Sequence, residues 1–116
     1  MSPEAGRSLT DRVRAVFLAP RVQVAEFTFN HLLQEVQPTS PDELASVLAQ
    51  LTTARFLEKI IRVESPESHG GIGDFHSLSE VPQEMRDWRT DRVFEVRPEN
   101  LRVIFRPGPE ARKHAG

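Results

Sequence analysis

The chain reads as an α+β domain in which three helices lead into a small antiparallel sheet interrupted by one long insertion. Three observations predict this. Apolar residues recur at helical spacing in three stretches of the first half, each bounded by prolines or capping residues. Runs rich in β-branched residues follow at Leu57–Val63, in RVFEV and in LRVIFR. Between residues 64 and 91 no long periodic element is present. The boundaries expected are a flexible amino terminus (1–7), a domain (8–106) carrying an acidic excursion at 64–91, and a flexible tail (107–116).

The first helix begins at Ser8, whose hydroxyl can accept from exposed amides, with Asp11 three positions on. Leu9, Val13, Val16 and Phe17 share one face, and Pro20 ends the helix because it has no amide to donate. VQVAEFT alternates loosely and predicts a short strand. Thr28 caps a second helix, FNHLLQEVQ, with Phe29, Leu32, Leu33 and Val36 on one side and Pro38 as its stop. Ser40-Pro41-Asp42-Glu43 is the clearest local signal. It places serine at the N-cap, proline at N1, and acids where they oppose the helix dipole. Leu44, Val47, Leu48 and Leu51 give the third helix its stripe, to about Ala54.

A strand over Leu57–Val63 comes almost directly after it. Nearly thirty residues without structure would be unusual in so short a chain. Val81, Met85 and Trp88, spaced i, i+4, i+7 behind Pro82, predict one or two helical turns with Trp88 as an anchor. RVFEV and LRVIFR around Pro-Glu-Asn predict a closing hairpin.

At 116 residues, with 38% apolar and 28% charged side chains, the composition is that of one globular domain. The absence of cysteine excludes disulfides, thiolate zinc sites and a thiol nucleophile. No apolar run approaches the roughly 20 residues of a membrane span, and MSPEAGRSLTDR lacks a signal-peptide core, so a cytoplasmic protein without membrane contact is expected. The net charge of −2 conceals an uneven spread: +2 over 1–22, −4 over 23–54, +2 over 55–63, −5 over 64–91 and +3 over 92–116. Such asymmetry bears on partners more than the total does.

Two helices joined through Gln37-Pro38-Thr39-Ser40, then an immediate apolar strand, form a helix-turn-helix followed by a sheet. In FTFNHLLQEVQPTSPDELASVLAQLTTARFLEKIIRVES the chain resembles the winged-helix superfamily. The likeness covers roughly residues 8–64 and the closing strands. It implies a winged-helix-like fold with the excursion as an unusually long wing, and DNA binding through the third helix and wing. The third helix departs from the pattern in lacking a basic face.

The stretch ESHGGIGDFH (67–76) invites a chemical reading. Gly71-Ile72-Gly73 lacks the last glycine of a dinucleotide fingerprint and has no Gly-Lys-Ser/Thr after it. His69-Gly70-Gly71 has no nucleophile elbow to serve. His69, Asp74 and His76 are a chemically suitable zinc set, though no helical spacing holds them together. Glu84 and Asp87 are an ordinary acidic pair, and His31 lies on the polar side of its helix. No constellation fills the roles of a catalytic site, so a non-catalytic protein without cofactor is expected. The glycines themselves suit a flexible tip with positive φ angles.

Two binding surfaces follow from the pattern. Ser46, Gln50 and Thr53 on the third helix can read base edges, with Arg55 at its end. Alternation puts Ile61, Val63, Val103 and Phe105 toward the core and Ile60, Arg62, Arg102, Ile104 and Arg106 on the opposite face. With Lys59 and Arg55 these predict a basic surface interleaved with apolar residues, suited to an acidic protein partner or to nucleic-acid backbone. Acidic residues Asp42 and Glu43 at the start of the third helix favour protein over DNA, and the charge split is compatible with self-association.

Overall fold

Residues 8–18 and 26–115 are described by the computed structural model. In chain order they form α1 (Leu9–Leu18), β1 (Phe27–Thr28), α2 (Phe29–Val36), α3 (Pro41–Thr53), β2 (Leu57–Glu64), β3 (Gly71–Phe75), β4 (Glu84–Asp87), β5 (Arg92–Glu95), β6 (Leu101–Pro107) and α4 (Pro109–Ala115). The class is therefore α+β. One four-stranded sheet has the order β1-β6-β2-β3, and β4 and β5 make a separate two-stranded sheet. The chain divides into two compact units, a helical one (Met1–Glu58 with Phe105–Gly116) and a strand-rich one (Lys59–Ile104).

In the helical unit the local signals act as expected. Thr28 Oγ1 accepts from the His31 amide at 3.2 Å and Ser40 Oγ from the Glu43 amide at 3.2 Å, each satisfying an amide that the helix cannot. The buried faces are Leu9, Val13 and Phe17 of α1, Leu32 and Val36 of α2, and Leu44, Val47, Leu48 and Leu51 of α3. These side chains form one core with Phe56, Leu57, Phe105 and Ala111. Burying a leucine or valine of this kind contributes about 1.5–3 kcal/mol of transfer free energy, which is what holds such short helices in place. The expected strand at VQVAEFT is described only at Phe27–Thr28; residues 22–25, Pro20 and the terminus 1–7 lie outside the described residues.

The tail expected to be flexible instead contains α4. Its Ala111 is 1% exposed within the core, and the Gly108 and Glu110 amides donate to the carbonyls of Phe56 (2.8 Å) and Arg55 (3.0 Å). A short polar sequence conceals this, because the group seen in the core is the single methyl of Ala111. There are thus four helices among the described residues, not three.

The strand-rich unit departs most from expectation. The glycine stretch is not a loop tip: Gly71–Phe75 is a strand antiparallel to β2, with Arg62 opposite Asp74 and Val63 opposite Gly73. No described glycine has a positive φ; His69 takes that conformation instead, at 57°. At Gly73 a Cβ would come within 2.8 Å of Met85 Cε, the far end of a flexible side chain, so the glycine lets Met85 pack closely against β3. The expected helical turns around Met85 are strand β4, paired antiparallel with β5 so that Met85 faces Phe94. Trp88 is not an anchor: it is 69% exposed, with the Arg89 guanidinium stacked 4.8 Å above its ring. RVFEV and LRVIFR do not form a hairpin with each other. The first pairs with β4 and the second lies beside β2, separated by a 3-10 turn at Pro98–Asn100 whose Asn100 Oδ1 accepts the Arg97 amide at 2.9 Å.

Candidate interaction surface

The strand arginines expected to form an open basic face, Arg62, Arg102 and Arg106, are each met by a carboxylate. In the strand-rich unit Arg62 Nε and Nη2 donate to Asp74 Oδ1 and Oδ2 at 2.8 and 3.1 Å, a bidentate pair across β2 and β3. Arg102 reaches Glu64 at 3.2 Å. In the helical unit Arg106 makes a bidentate pair with Glu58 at 3.2 and 3.0 Å, and Arg112 approaches the same glutamate at 3.6 Å. Partly exposed pairs of this kind add at most about 1 kcal/mol each. Their larger effect is to cancel the positive field that would attract a polyanion.

The apolar half of that face also differs. Ile60 and Ile104 are buried, at 1% and 8% exposure, while Val103, assigned to the core, is 42% exposed. Simple alternation fails because Ile60 and Ile61 point to opposite faces and are both buried, so β2 is covered on both sides at that level. The same holds at Ile104 and Phe105 of β6.

On α3, Ser46, Gln50 and Thr53 are exposed and fall on one helical face by their spacing, beside exposed Asp42 and Glu43. Arg55 follows in the left-handed region at φ 63°, and its amide and that of Phe56 return to the carbonyls of Thr52 (3.0 Å) and Leu51 (2.9 Å). This is a Schellman ending with arginine where glycine is usual. The Arg55 side chain is exposed and has no ion-pair partner among the described residues.

His69, Asp74 and His76 are not drawn into a common site: among the described residues no three His, Asp or Glu side chains are grouped so as to hold a metal ion. Asp74 gives both oxygens to Arg62. The residues before β3 are instead tied to the end of β4 through Asp87, which is 1% exposed. Ser68 Oγ donates to its Oδ2 at 2.8 Å and the Arg89 amide to its Oδ1 at 2.9 Å. Hydrogen bonding from the Ser65 hydroxyl has the largest effect and, with Ser68 and the Arg89 amide, outweighs the opposing effect of burial, lowering the Asp87 pKa from 3.8 to about 2. Asp87, set aside in the sequence as half of a solvated pair, is the buried polar centre of this unit.

A shallow apolar groove of about 320 Å³ lies within the strand-rich unit, lined by Lys59, Ile61, Leu101 and Val103 and by His76, Ser77 and Leu78 after β3. Leu78 is 66% exposed. Sequence reasoning missed this surface by assigning Val103 to the core; Ile61, placed there too, is buried at 6% exposure and forms the base of the groove. The available signal was Lys59, which alternation puts on the same side of β2 as Ile61 and which a closed core would not accept unpaired.

Among the described residues no helix is long and apolar enough to cross a membrane. Comparison with protein-family models, with curated proteins and with solved structures finds no match to this chain.

Proposed function

We propose that the chain is a non-catalytic, winged-helix-like interaction module whose contacts are with protein. The element order α1-β1-α2-α3-β2 with β6 lying between β1 and β2 supports the winged-helix reading, while fold likeness by itself does not assign a ligand. One observation carries the choice of protein over DNA. The strand arginines that would neutralise phosphates are already neutralised by Asp74, Glu64 and Glu58, whereas apolar side chains at Leu78, Trp88, Val93 and Val103 stand in solvent. The test is titration of labelled duplex and single-stranded DNA at two salt concentrations. Binding that is absent at low salt is the expected result. Affinity that falls steeply with salt would overturn the reading.

A second reading, a DNA-binding regulator using α3, is favoured by one feature: Arg55 is an exposed cation without an acidic partner among the described residues, one turn from Gln50 and Thr53. Under that reading Arg55→Ala weakens duplex binding. Asp42 and Glu43 oppose it, because they bring negative charge to the end of the helix that would approach phosphate.

A further inference from the structure

We propose that the groove bounded by Lys59, Ile61, Leu78 and Val103 is a docking site for an extended peptide segment of a partner protein. That segment would carry an aliphatic or aromatic side chain with a carboxylate one or two residues away. This specifies the partner class of the interaction reading above and rests on it.

The chemistry of the groove selects the occupant. Its floor and walls are apolar (Ile61, Leu101, Val103 and Leu78), and its volume of about 320 Å³ has room for side chains of a peptide. Such a size is at the low end of the roughly 300–1,000 Å³ of small-molecule sites. Leu78 and Val103 keep 66% and 42% of their surface in water, an exposure that covering by a partner would reverse.

Lys59 sets the charge. The other cations of this unit are engaged: Arg62 with Asp74, Arg86 with Asp91 (2.8 Å), Arg92 with Glu67 (3.2 Å), Arg97 with Glu95 (3.5 Å), Arg102 with Glu64, and Arg89 with the Trp88 ring. Lys59 is exposed at the groove wall and has no ion-pair partner among the described residues. The acid nearest Leu78 in sequence, Glu80, turns its carboxylate to the His76 amide at 3.1 Å. An incoming carboxylate therefore meets a lysine that the fold leaves unneutralised, beside apolar surface that the fold leaves uncovered. Charge places the segment and apolar burial holds it.

The experiment is selection of displayed random dodecapeptides on the full chain, followed by anisotropy titration of an enriched peptide. The variants are Lys59→Glu and Leu78→Ser, both at exposed side chains, and their circular dichroism spectra and unfolding midpoints are expected to match the wild type. Enriched peptides are expected to carry an aliphatic or aromatic residue within two positions of Asp or Glu, and each variant is expected to weaken them about tenfold. Enrichment of peptides that bind both variants as well as the wild type would overturn the groove while leaving protein binding standing. Enrichment of basic peptides, or of none, would overturn the groove too. Salt-dependent binding of duplex DNA would remove the reading on which it rests.

Discussion

Gly108→Ala should be the most informative single methyl group in the helical unit. A Cβ at this position would lie 2.5 Å from the Arg55 carbonyl oxygen and 3.1 Å from the Leu57 carbonyl carbon, both backbone atoms. The closer distance is about 0.5 Å inside the nearest approach that Cβ atoms show. Neither side can yield easily: the Arg55 carbonyl accepts the Glu110 amide at 3.0 Å, and Gly108 itself donates to Phe56 at 2.8 Å. Relief requires the start of α4 to move away, which strains those hydrogen bonds and loosens buried Ala111. Overpacking of this kind costs about 1–3 kcal/mol, and each kcal/mol lowers Tm by roughly 4–8 °C in a domain near this size. The control is Gly70→Ala. The three atoms nearest to its Cβ would all belong to the guanidinium of Arg89, the far end of a flexible and exposed side chain. Thermal unfolding followed by circular dichroism should show a drop of roughly 5–20 °C for Gly108→Ala and a change within about 3 °C for Gly70→Ala. Equal midpoints for the two variants would refute the close packing of α4 on the Arg55 carbonyl.

Three further outcomes are expected. Because Asp87 has a pKa lowered to about 2, the stability its ionised form contributes is complete above the unfolded value near 3.8 and is lost as pH falls through about 2; carboxyl NMR should find it still ionised at pH 3, and a midpoint near 4 would contradict the Ser65 and Ser68 hydrogen bonds. Arg55→Gly should raise stability by about 0.5–1 kcal/mol in urea titration, since glycine takes the left-handed conformation at no steric cost; a loss of stability would mean the arginine side chain packs in a way its exposure does not suggest. Trp88→Ser should leave the unfolding midpoint within about 0.5 kcal/mol of wild type, because a 69% exposed ring buries little area; a large loss would restore the anchoring role that sequence spacing predicts.

The α3 face is an instructive case of a site legible in outline. Ser46, Gln50 and Thr53 are exposed as their spacing requires, and Ser40 caps the helix as its neighbours require. Arg62, Arg102 and Arg106 show the opposite. Their positions on strands were readable, but their acidic partners come from 12, 38 and 48 residues away, and only strand register brings Asp74, Glu64 and Glu58 into reach. A basic stripe in sequence thus became a set of closed ion pairs. The groove at Lys59 and Val103 depended on a further fact that alternation cannot supply, namely which strand positions are covered on both faces.

Local chemistry determined the first three helices of this protein, whereas α4 is held by its packing on the Arg55–Phe56 backbone. Thr28 and Ser40 cap, Pro41 starts, and apolar residues three and four apart face inward, all through interactions within a turn or two of chain. The strands were decided at longer range. EMRD is a strand only because RVFEV lies opposite, and GIGDF only because β2 does. Sheet pairing is set by distant neighbours rather than by intrinsic preference, so a glycine-rich or mixed-polarity segment carries little trace of it. The same non-local pairing neutralised the arginines, buried Asp87, and left Leu78, Val103 and Lys59 in solvent.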